Sequence, residues 1–161
     1  MAVPGNGVRR VRESDLAAVV GLIRELAEYE RAPLEFQLNR SQLRRALFGP
    51  QPALFGHVVE RRGTVVGCAL WRPDMSTETG SGAIFVENLY VQPEHRGRGL
   101  GRGLLAALAA ESCRRGFASL EWSVLEWNLP AIGFYESLGA RPNEGRTTYR
   151  LSDEALSALS R

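Results

Sequence analysis

Between Ile84 and Leu105 the chain sets two kinds of chemistry side by side. One acid, Glu87, interrupts an otherwise apolar, strand-like run from Ile84 to Val91. A carboxylate so placed can take a proton from a nucleophile; equally, it can pair with an arginine or face solvent. A turn containing Pro93 follows, then Arg96-Gly97-Arg98-Gly99-Leu100-Gly101, and a helical run opens at once with Arg102. A glycine-rich loop at a helix N-terminus presents backbone N–H groups that have no partner within the helix. Backed by the positive end of the helix dipole, such a loop binds a pyrophosphate. The segment thus offers an anionic cofactor a cradle one strand away from a carboxylate.

The loop is neither of the two commonest phosphate cradles. A P-loop requires a lysine, and every one of the 20 Lys+Arg residues here is arginine. The Rossmann spacing Gly-x-Gly-x-x-Gly also fails, because the glycines alternate at 97, 99, 101 and 103. What remains is Arg96-x-x-Gly99-x-Gly101 between a strand and a helix. This resembles the Arg/Gln-x-x-Gly-x-Gly/Ala signature of the GCN5-related N-acetyltransferases (GNAT), whose loop holds the diphosphate of acetyl-CoA. A second segment agrees: Asn128-x-x-Ala131-x-x-Phe134-Tyr135-x-x-x-Gly139 resembles the C-terminal acetyl-CoA element of that family. Asn128 suits a helix N-cap, Pro130 a first turn and Gly139 a C′ position. A third match, Leu22–Glu30 with Phe85–Val91 and Glu126-Trp127-Asn128, is similar to the diamine (spermidine/spermine and thialysine) acetyltransferase branch.

The resemblance implies roles for particular residues. Glu87 would be the proton acceptor, partly buried and acting through a water, and Tyr135 the acid that protonates the departing thiolate. Backbone groups of Leu89, Tyr90 and Val91 would bind the pantetheine arm. Residues Arg96, Gly97, Arg98, Gly99, Leu100, Gly101 and Arg102 would take the diphosphate, with Asn128 and Ala131 lining the far wall. Tyr29, Glu30, Glu121, Trp122 and Ser123 would contact the acceptor amine, together with Glu87. Two departures narrow the acceptor. The branch's Tyr-Asp-Pro-Trp loop is Ser76-Thr77-Glu78-Thr79 here, and the Asp after the catalytic Glu is Asn88. Losing an acid and an aromatic weakens a long polycation more than a short amine, so a thialysine- or diamine-like acceptor is favoured over spermine. The alternatives are a protein N-terminal or lysine acetyltransferase, and a non-catalytic acetyl-CoA sensor of the same fold.

Periodicity and turn residues indicate the helices and strands that carry these groups. Leu16, Val19, Val20, Ile23, Leu26 and Ala27 form a helical stripe behind a Ser14 or Asp15 cap. A short helix is predicted over Ser41–Phe48, and a hairpin pairs Ala53–Glu60 with Thr64–Trp71. Pro73–Gly82 reads as a polar loop, Ser119–Leu125 as a strand, and Thr147–Leu151 as a last one. The resemblance implies an α/β GNAT fold with a mixed central sheet of roughly six to seven strands and about four helices. Residues 1–7 read as a disordered N-terminus and 8–161 as a single N-acetyltransferase domain.

Bulk composition excludes little more. A length of 161 residues, 44% hydrophobic and 24% charged, suits a globular domain. No apolar run is long enough to cross a bilayer and no signal-peptide core is present, so the expectation is cytoplasmic, with no membrane partner. A net charge of +2 without an aromatic–arginine cluster argues against nucleic acid. His57 and His95 stand apart from each other, and Cys68 and Cys113 read as buried thiols, so no metal is expected. The expected cosubstrate is acetyl-CoA, the partner a small-molecule amine, and the assembly a homodimer like those of the diamine branch.

Overall fold

A computed structural model describes residues 7–161. Of the seven N-terminal residues expected to be disordered, 1–6 lie outside the described residues. The carbonyl of Gly7 accepts the Glu60 N–H at 3.0 Å. The chain forms two compact units, the first ending at Ser123 and the second running Val124–Arg161.

The first unit is built on five strands: β1 Val8–Arg10, β2 Phe55–Arg61, β3 Thr64–Ser76, β4 Ser81–Val91 and β5 Ser119–Trp122. They lie in sequence order, antiparallel except for the parallel pair β4–β5. A parallel neighbour needs a crossover, supplied by helix α3, Leu100–Arg114. Helices α1 (Leu16–Tyr29) and α2 (Arg40–Phe48) lie between β1 and β2 in the chain. Alternation along the strands divides the core. Val59, Trp71, Ile84 and Val86 pack with Leu100, Leu104 and Leu108 of α3. Val58, Cys68, Leu70 and Tyr90 face the other way, onto Leu16, Val19 and Ile23 of α1 and Leu43 and Leu47 of α2. Period-two side chains make this unavoidable once one face is buried.

Several expectations are corrected. The sheet among the described residues has five strands, not six to seven, and the α-helices number five. Pro73–Gly82 is largely strand, because β3 and β4 pair as far as Ser76↔Ser81 and leave only a tight turn. Strand β5 stops at Trp122 rather than Leu125. Asp15 precedes α1 but does not cap it with its side chain. Its carboxylate instead accepts the Arg12 N–H at 2.7 Å and pairs with Arg9. Asn39 caps α2 in a reciprocal box with Gln42. Cys68 is buried as expected, whereas Cys113 is exposed.

In the second unit, α4 spans Leu129–Ser137 and α5 spans Asp153–Leu159. The Asn128 side chain accepts the Ala131 N–H at 3.3 Å, and Gly139, at φ +89°, follows the helix as expected. The last predicted strand does not form: residues 147–151 are exposed and lack a ladder partner. β-propensity in Thr147-Thr148-Tyr149 cannot hold a strand without one.

Candidate active site

Strand β4 carries the site's central feature. Leu70 pairs with Asn88 and Trp71 with Val86, so Glu87 is the extra residue of a β-bulge. The bulge reverses the phase of the strand. Before it, Ile84 and Val86 face α3; after it, Leu89 and Val91 do, and Tyr90 turns to α1. An even-to-odd switch of this kind follows from one unpaired residue, and bulges re-aim a side chain in this way. Glu87 and Asn88 are thereby set on the face of the sheet that holds Tyr90, beyond the core patch that α1 and α2 cover.

The Glu87 carboxylate is more open than expected, 41% exposed, and Oε1 accepts from Arg72 Nε at 2.9 Å. Arg72 stacks on Phe85, its guanidinium carbon 4.7 Å from the ring centroid. Arg72 pairs with Phe85 across the hairpin and Phe85 with Glu121 across the parallel ladder, so the three share a row. Glu121 is exposed, and Ser119 Oγ donates to it at 3.4 Å. Trp122 sits opposite Val86, and Ser123 is exposed just beyond the strand.

β5 accompanies β4 only as far as Val86, so among the described residues Leu89, Tyr90 and Val91 have a strand neighbour on the β3 side alone. This leaves an edge where an extended ligand can add like a strand. The loop lies at the same end. Gly97 and Gly99 take φ +72° and +75°, a left-handed backbone that glycine adopts without strain. A Cβ at either would meet nothing within 4 Å, so space is open beside both. The first intrahelical N–H here is that of Gly103, bonded to Gly99 O at 2.9 Å; the amides of Leu100, Gly101 and Arg102 precede it. No acid occupies the first turn, and Arg98 and Arg102 are exposed. These donors and charges fit a diphosphate.

Arg96 belongs to this loop and is exposed, but its side chain lies along two tyrosines. Its Nε donates to the Val91 carbonyl at 2.8 Å, and its guanidinium lies 5.4 Å from the Tyr29 ring and 5.3 Å from the Tyr90 ring. The side chain thus braces the end of α1 against the end of β4. Gln92 Nε2 adds a hydrogen bond to Glu25 at 3.0 Å. Burial, and then Glu25, raise the Tyr90 phenol above its ordinary value. Glu30, just after α1, has its carboxyl raised by burial. Tyr29 is partly exposed, at 38%.

Within the second unit, Asn128 and Ala131 meet in the α4 cap. The rings of Phe134 and Tyr135 tilt together, with centroids 5.5 Å apart. Among the described residues there is no cluster of three metal-ligating side chains, and no helix is long and apolar enough to cross a membrane.

Sequence reasoning missed Arg72 and the bulge. The bulge left a trace, since the apolar positions 84 and 86 give way to 89 and 91 across Glu87-Asn88. Arg72 left none, because it reaches Glu87 only through the hairpin register.

Comparison with known proteins is consistent across sequence and structure. The model of the family described as "Acetyltransferase (GNAT) family" matches residues 20–140. The thialysine N-epsilon-acetyltransferase of Mus musculus is 32% identical over 95% of this chain and 96% of its own length. The enzyme of that name from Caenorhabditis elegans is 30% identical over 88% of this chain and 89% of its own. An integron cassette protein from V.cholerae superposes with a TM-score of 0.79, covering 97% of this chain and 99% of that one, at 24% identity. An aminoglycoside acetyltransferase from an uncultured soil metagenomic sample, in complex with sisomicin, gives a TM-score of 0.74 over 90% and 95% at 18% identity.

Proposed function

Because the chain belongs to the acetyltransferase (GNAT) family, and is an N-acetyltransferase, we propose that it moves the acetyl group of acetyl-CoA to the primary amine of a small cationic acceptor of the thialysine or diamine type. The observation that carries this reading is the β4 bulge, which aims Glu87 at an open face beside a free strand edge and a diphosphate-type loop. The mouse and nematode relatives are named for thialysine, which supports a short acceptor.

The chemistry follows from the amine. An alkylammonium with a pKa near 10.4 leaves about one part in a thousand as free amine at pH 7.4. Glu87, directly or through a water, accepts the ammonium proton. The freed nitrogen attacks the thioester carbonyl, so no acyl-enzyme cysteine is needed; Cys68 is buried, its thiol pushed up to about 12 by that burial. Acetyl-CoA supplies the activated acyl group. Amides of 97–102 hold its diphosphate, Leu89, Tyr90 and Val91 its pantetheine arm, and Asn128 and Ala131 its far side. Tyr135 donates its phenol proton to the departing sulfur. Tyr29, Glu30, Glu121, Trp122 and Ser123 contact the acceptor. The chain acts as one acetyltransferase domain over 8–161, cytoplasmic and homodimeric like the diamine branch.

The test is CoA thiol release from acetyl-CoA with thialysine, lysine, putrescine, spermidine, spermine, a lysine peptide and no amine. Saturable turnover on a short amine is expected. A flat panel with saturable acetyl-CoA binding would instead favour a sensor, and a lysine peptide outrunning every small amine would favour a protein acetyltransferase.

A further inference from the structure

Arg72 belongs to none of the acetyltransferase motifs, yet it is the cation on Glu87. Its Nε donates to Oε1 at 2.9 Å while its planar group rests on Phe85. A guanidinium carries five donors in a rigid fork. Here Nε alone makes a hydrogen bond among the described residues. Nη1 lies 4.0 Å from Asp74 Oδ1, beyond hydrogen-bond distance, and that oxygen already accepts the Met75 N–H at 2.9 Å. The side chain is 40% exposed. An arginine fixed on one side by a ring and a carboxylate, its terminal fork without a hydrogen bond and 4.0 Å from Asp74, is able to take an anion.

The surroundings decide what that means for an acceptor. Glu87, Asp74 and Glu121 are exposed acids on or beside the Arg72–Phe85 row, and they draw a cationic amine toward it. Once the reacting amine is at Glu87, any group a short aliphatic chain away meets the Arg72 charge. A second ammonium has nothing to offer the guanidinium, while a carboxylate can accept from its free Nη donors. We propose that Arg72 is a specificity-determining residue, favouring acceptors that carry a carboxylate near the reacting amine over those that carry only further ammonium groups. The proposal rests on the acetyl-transfer reading and names the acceptor class within it: ω-amino acids before polyamines.

Lysine, cadaverine and ε-aminocaproate test this directly. Cadaverine is lysine without its carboxylate, and ε-aminocaproate is lysine without its α-amine. Wild-type kcat/KM is expected to favour both carboxylates over cadaverine by about tenfold or more. Arg72→Gln should remove most of that preference, through the acceptor KM rather than the KM for acetyl-CoA, and Arg72→Lys should keep part of it. A lysine-to-cadaverine ratio that Arg72→Gln leaves within twofold of wild type overturns the proposal, as does a wild-type preference for cadaverine. Calorimetric titration of the same amines into the CoA-bound protein gives the ratio without turnover. A protein that binds them with the expected, Arg72-dependent order but transfers nothing counts against the proposed reaction alone. One that binds none of them counts against both.

Discussion

Glu87 and His57 are both titratable residues on this sheet, but their surroundings give them opposite work. Glu87 is open to solvent and to an incoming amine. Glu87→Gln should lower kcat by about 10²-fold or more at pH 7. The loss should shrink as pH rises, because free amine then no longer needs a base. A pH–rate profile of the variant checks this, and an unchanged rate at pH 7 would remove Glu87 from the chemistry. His57 is 7% exposed and accepts the Trp71 Nε1–H at 3.1 Å through Nδ1. Burial, and then the Arg10 charge, push its pKa down to about 4. The folded protein therefore keeps His57 neutral where the unfolded chain, with an ordinary value near 6.5, takes a proton. Stability contributed by the neutral imidazole is intact above pH 6.5 and is lost progressively as pH falls toward 4. The loss should reach about 2–3 kcal/mol by pH 4.5. Urea titrations of the wild type and His57→Gln at pH 7.5 and 4.5 measure it; the variant, which does not titrate, should lose less.

At the scale of the element, the loop is made by backbone conformation and by one brace. Gly99 sits at φ +75° with open space where a Cβ would go, so Gly99→Ala meets strain rather than a clash. The expected cost is about 1–2 kcal/mol of stability, with a raised KM for acetyl-CoA. An unchanged KM and unfolding midpoint would show that the loop has no need of a left-handed residue there. Arg96 acts through shape: it stacks between Tyr29 and Tyr90 and donates to the Val91 carbonyl. Lysine keeps the charge but neither stacks nor presents the same donor. Arg96→Lys should therefore raise the KM for acetyl-CoA severalfold, almost as much as Arg96→Ala. Full rescue by lysine would mean that charge alone matters.

At the scale of the whole molecule, the end of α3 is tied to the first strand. Glu111, 7% exposed, pairs with Arg115 at 2.8 Å, with Arg114, and with Arg10 of β1 at 2.9 Å. Arg10 and Arg115 also lie over the Trp71 ring, 5.3 and 5.1 Å from its centroid. Burial alone would raise the Glu111 carboxyl, but the hydrogen bonds from Arg114 and Arg115 prevail and bring it down to about 2. Its contribution is thus present above the ordinary carboxylate range and is lost progressively as pH falls from that range toward about 2. The acid instability between pH 6.5 and 4.5 accordingly belongs to His57. Glu111→Ala, which leaves three arginines facing one another, should cost about 2–4 kcal/mol at neutral pH, read as a lower urea midpoint. An unchanged midpoint would show that the three arginines are stable without it.

The parts whose physics is local were legible in the chain alone. Arg96-x-x-Gly99-x-Gly101 before a helix, Asn128 before Pro130, and the Leu16–Ile23 stripe are set by backbone donors, caps and period, all within one or two turns of chain. The α/β class and the family were legible for that reason. The phase switch across Glu87-Asn88 was also written there, as apolar residues moving from even to odd positions. Long-range pairing brings Glu87 to Arg72, lays Arg96 against Tyr29 and Tyr90, and leaves residues 147–151 outside the sheet. Each depends on which strand pairs with which and in what register. Register is an agreement between distant segments, which no single stretch of sequence carries.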